Sequence, residues 1–60
     1  MKYFKEPYDG KTIEVSRDDA SVEIMKTKGV DRDAAEAMLE ATTIDDPIEV
    51  GDDCIWCEDG

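Results

Sequence analysis

Thr42-Thr43-Ile44-Asp45-Asp46-Pro47-Ile48-Glu49-Val50-Gly51-Asp52-Asp53-Cys54-Ile55-Trp56-Cys57 is the stretch that decides the fold. Pro47 suits the first position of a strand, since it has no N–H to give to a ladder. Ile48 and Val50 alternate with Glu49, Gly51-Asp52-Asp53 supplies turn chemistry, and Cys54 to Cys57 returns the chain. The spacing predicts a β-hairpin.

Upstream lies the clearest helix. Asp31 is a natural N-cap, and Ala34, Ala35, Ala37, Met38, Leu39 and Ala41 favour helical backbone. At 100° per residue, Ala34, Ala35, Met38, Leu39 and Ala41 share a broad apolar face, with Asp33, Glu36 and Glu40 opposite. The helix is expected to hold no counter-ion one turn from Glu36 or Glu40, leaving three acids as an unpaired row; like charges at that spacing cost a few tenths of a kcal/mol. Before it, Ser16 can cap a helix that ends at Gly29, with Asp18 and Asp19 in the first turn and Lys26 and Lys28 in the last. Val22 and Ile24 also alternate, so a strand over residues 21–26 stands as a rival reading. At the amino end, residues 2–5 and 11–15 flank Pro7-Tyr8-Asp9-Gly10, and Thr12-Ile13-Glu14-Val15 alternates with period two, predicting a first hairpin. The expected architecture is one small α+β domain over residues 1–60, a small antiparallel sheet of two hairpins packed against a helical pair.

Charge is unevenly placed. The chain has 60 residues, 17 Asp and Glu against seven Lys and Arg, no His, and a net charge of −10. Residues 1–32 hold all seven bases and seven acids, so the whole net charge sits in residues 33–60. Leu, Ile, Val and Phe number only eleven, a composition at the edge of disorder. The acids of the second half are nonetheless interleaved with Met38, Leu39, Ile44, Ile48, Val50, Ile55 and Trp56, as in folded chain with an acidic coat. Solubility is satisfied by a net charge of about 2 to 8 in a small domain, and self-repulsion opposes compaction. Halophilic adaptation fits less well, because five of the seven bases are Lys.

Familiar chemistries are disfavoured. No imidazole is present to work near neutral pH, and a chain this short encloses little cleft, so no enzymatic activity is expected. Cys54-Ile55-Trp56-Cys57 has redox spacing, but it lies in an expected strand among carboxylates that disfavour thiolate. Positions three apart on a strand face opposite ways, which strains an internal disulfide. Two thiols without imidazole do not complete a structural zinc site, and the acidic doublets lack the alternation of a calcium loop. No metal or cofactor is expected, and the thiols read as reduced, one of them in the core. Trp56 reads as core, with an exposed partner anchor as the other reading. No apolar run spans a bilayer and no secretion signal is evident, so a cytoplasmic protein without membrane contact is expected.

Two resemblances add to this reading. Residues 22–42, from Val22-Glu23-Ile24-Met25 through Gly29-Val30 to Ala37-Met38-Leu39-Glu40-Ala41-Thr42, resemble the first two helices of a ubiquitin-associated domain. The third helix of that family is replaced here by the expected strands. In length, charge and lack of catalytic residues the chain resembles small phage-encoded inhibitors that mimic DNA, including acidic anti-CRISPR proteins. That resemblance implies a non-enzymatic inhibitor acting in a host cytoplasm. It would present carboxylates to the basic groove of a nucleic-acid-binding protein or nucleoprotein complex, without binding nucleic acid itself. Asp45, Asp46, Glu49, Asp52 and Asp53 are the expected primary surface, Asp33, Glu36 and Glu40 a second row, and Glu58 and Asp59 flanking charge. The alternative is an adaptor or antitoxin-like module that grips a partner through Trp56 and apolar neighbours.

Overall fold

A computed structural model describes residues 1–58. The chain forms β1 (Lys2–Glu6), β2 (Ile13–Val15), α1 (Arg17–Lys28), α2 (Arg32–Glu40), β3 (Ile48–Val50) and β4 (Asp53–Glu58). Both expected hairpins are present, and the four strands make one antiparallel sheet in the order β2-β1-β4-β3. The first and last strands therefore sit side by side at its centre. Asp59, expected to flank the acidic surface, lies outside the described residues.

Residues 21–26 are helical. The caps decide this: Ser16 Oγ accepts from Asp19 N–H at 3.0 Å, and Gly29 closes α1 at φ 67°, a left-handed backbone that suits glycine. Asp31 caps α2 in the same way, accepting from Ala34 N–H at 2.9 Å. The α2 stripe is narrower than the periodicity suggests. Ala35 and Leu39 are fully buried, whereas Met38 is 37% exposed and Ala41 faces solvent.

Both helices cover one face of the sheet. Tyr3, Val50, Ile55 and Cys57 meet Ala20, Ile24, Ala35 and Leu39 there to form the core. Alternation along β1 and β4 turns Phe4 and Trp56 to the other face, where they are register partners and stack with ring centroids 6.0 Å apart. Trp56 is only 6% exposed, so it is buried without belonging to the helix-side core. The two thiols of β4 likewise face opposite ways: Cys57 is buried and Cys54 is partly exposed.

Thr42 joins the layers. Its hydroxyl donates to Leu39 C=O at 2.6 Å and accepts from Cys57 N–H at 3.1 Å. Paired β3 positions end at Ile48↔Ile55, so Thr42 supplies the acceptor that the edge strand no longer provides. Thr42→Val keeps the volume but orphans a buried N–H, which costs about 1–3 kcal/mol. Urea denaturation should show that loss, whereas Thr42→Ser should retain most of the stability.

Candidate functional site

The order of the sheet sets where charge can accumulate. β3 is an edge strand, and the segment around it carries Asp45 and Asp46 before the strand, Glu49 within it and Asp52 in the turn after it. All four side chains are exposed, and none has a described cation within ion-pair distance. Ile48 and Val50 point into the core, so Glu49 faces away from the helices with its register partner Cys54. Only Glu49 is on a strand; Asp45, Asp46 and Asp52 lie in the segments on either side of it. A three-residue strand flanked by free carboxylates is also guarded against pairing with another strand.

The fifth acid expected on this surface is not free. Asp53 begins β4, is half-buried, and accepts an ion pair from Lys5 Nζ at 3.3 Å; Lys5 also reaches Glu23 at 3.8 Å. Asp53 faces the helix side because it pairs with Val50. Its charge is spent within the fold.

Two acids of the second row are held more firmly within the fold. Glu36 and Glu40 do not stand unpaired: Arg17 Nη2 contacts Glu36 at 2.8 Å and Glu40 at 3.2 Å, and Arg32 Nε contacts Glu36 at 2.7 Å. Arg32 also pairs with Asp18, and Arg17 Nη1 donates to Tyr3 Oη at 3.3 Å. The two arginines thus tie the start of α1 to the outer face of α2. Each partly exposed pair is worth little alone, but together they fix how the helices sit. Asp33 remains exposed, and Glu58 is partly buried opposite Lys2.

The network leaves a pH signature. Arg32 first, then Arg17, hold the Glu36 carboxyl below its ordinary value of 4.5. A depressed folded value stabilises above the unfolded one and is lost as pH falls through the folded one. Thermal melts should therefore show Glu36→Gln least stable relative to the parent above about pH 4.5, with the difference closing on acidification. A difference independent of pH would contradict the network.

Among the described residues, no three His, Cys, Asp or Glu side chains come together to hold a metal ion. No described helix is long and apolar enough to cross a membrane. No family model, curated protein or solved structure matches the chain significantly.

Proposed function

We propose that the protein is a non-enzymatic inhibitor that occupies the basic nucleic-acid groove of a larger protein or nucleoprotein complex through the β3 edge. The observation that carries this reading is the concentration of Asp45, Asp46, Glu49 and Asp52 on one edge without counter-ions, while Glu36, Glu40 and Asp53 are neutralised elsewhere. Carboxylates left exposed and unpaired in a chain of net charge −10 keep their attraction for an external cationic surface. The same net charge repels nucleic acid itself, so the partner is the protein that binds it. A grip through Trp56 finds less support, because its indole is buried. A host cytoplasm is the setting this reading implies.

The test is capture from a nuclease-treated lysate on immobilised protein. Basic nucleic-acid-binding proteins should be retained at about 0.05 M salt and released at about 0.5 M, on either side of physiological screening. Added duplex DNA should compete for them. The combined variant D45N/D46N/E49Q/D52N should retain none, and retention equal to the parent would overturn the proposal.

A further inference from the structure

The opposite edge of the sheet is built differently. β2 is as short as β3, but an apolar side chain, Ile13, is 50% exposed at its start. Between this strand and α1 runs a cleft of about 310 Å³. Its apolar walls are Ile13, Val15, Ala20, Val22 and Ile55, and Val22 is 38% exposed. Along α1, Asp19, Val22, Glu23 and Lys26 form one stripe, spaced three and four residues apart. Glu23 is engaged by Lys5, which leaves in this stripe one acid, Asp19, and one base, Lys26, about 10 Å apart along the helix and without an ion pair among the described residues.

We infer that this cleft is a homodimer interface, filled by a second copy of the chain about a two-fold axis. A two-fold interface must be self-complementary. An antiparallel pairing of α1 stripes meets that condition, setting each Asp19 beside Lys26 of the other copy and, between them, each Val22 beside Glu23 of the other copy, whose carboxylate its own Lys5 engages. The same axis runs β2 antiparallel to its copy. With Ile13 on the axis, Thr12 faces Glu14 of the second copy and Lys11 faces its Val15, so no like charges are opposed along β2. The sheet then has eight strands, and both β2 edges are covered.

Charge selects this edge over the other. Residues 1–32, which build β1, β2 and α1, sum to zero, whereas pairing through β3 would oppose four free carboxylates to four. In the eight-stranded sheet the two acidic edges lie at opposite ends, seven strand spacings or about 34 Å apart. That is several Debye lengths at physiological salt. The inference does not depend on what the acidic edge binds.

Sedimentation velocity of the full chain provides the test. The 6.7 kDa chain should sediment as a dimer at about 0.5 mM, and more completely at about 0.5 M than at 0.05 M salt, because screening removes the net repulsion. Salt dependence of the opposite sign is expected for capture on the acidic edge, so the two readings fail separately. Ile13→Arg buries an unpaired charge on the axis and should weaken dimerisation about 100-fold. D19K should weaken it about tenfold by opposing Lys to Lys, and D19K/K26D should recover it. Each variant changes a solvent-exposed side chain, and circular dichroism checks that it is folded. A wild-type monomer under both salts, a dimer indifferent to Ile13→Arg, or a folded double variant without recovery would each overturn the inference.

Discussion

Leu39→Ala is expected to leave the protein without a cooperative unfolding transition at 25 °C. Leu39 is the only leucine in the chain, is fully buried, and lies where α2 meets the sheet. Truncating a buried leucine costs about 2–5 kcal/mol, because the lost transfer energy is joined by a cavity that neighbours fill only partly. A single core in a chain this short supplies about 3–5 kcal/mol in total, so the loss consumes most or all of it. Of the eight described helix-side core residues, three are Ala20, Ala35 and Cys57, and small side chains have little reach to collapse into the gap. Far-ultraviolet circular dichroism against urea reads the outcome. Leu39→Met should fold, losing less than about 1.5 kcal/mol. Met38→Ala, one residue away and partly exposed, should stay within about 0.5 kcal/mol of the parent. A sharp, parent-like transition in Leu39→Ala would mean that the stability resides elsewhere, for instance in the Phe4–Trp56 stack on the other face.

The contrast between Leu39 and Met38 also shows what was legible in the sequence. Local signals were strong where they were chemical: Asp31 as the cap of α2 and alternation from Thr12 to Val15 each specified their element, and Ser16 and Gly29 marked the two ends of α1. They were weak where burial depends on a neighbour. α1 buries Ala20, Ser21 and Ile24, which is no periodic hydrophobic stripe, so residues 21–26 remained open to a strand reading until the caps were satisfied. The pairing of β1 with β4 joins residues more than 45 positions apart, and no local pattern encodes it. Among the candidate residues, the exposure of the four acids around β3 was legible because an edge strand and its turns expose what they carry. Glu36 could have been assigned correctly, since Arg32 stands four residues before it on the same helix. The reach of Arg17 to Glu36 and Glu40, over 19 and 23 residues, could not, because it depends on the angle at which α1 crosses α2. Asp53 and Lys5 became partners only once β1 and β4 were adjacent.

The acidic edge should trade stability for binding, and the two effects of D45N/D46N/E49Q/D52N are expected to have opposite signs. The variant removes four of the ten excess negative charges from exposed positions that make no ion pair among the described residues, so neutralisation breaks no such pair and relieves repulsion. At a few tenths of a kcal/mol per charge the gain is about 1 kcal/mol, which in a domain of this size raises Tm by roughly 4–8 °C. On the proposed basic partner, each lost pair should cost about 0.5–1 kcal/mol if it lies at the rim of the interface and more if it is desolvated. The four together therefore weaken binding by roughly 30- to 1,000-fold, mostly through slower association, and flatten its salt dependence. Residues selected only for folding or solubility would not keep both signs at once. The internal control is E36Q/E40Q, which removes two charges that Arg17 and Arg32 already neutralise: it should lower Tm and leave association with the partner within about twofold. If instead the edge variant loses stability while binding is kept, the carboxylates serve the fold, and the β3 edge is not the face the protein offers to another molecule.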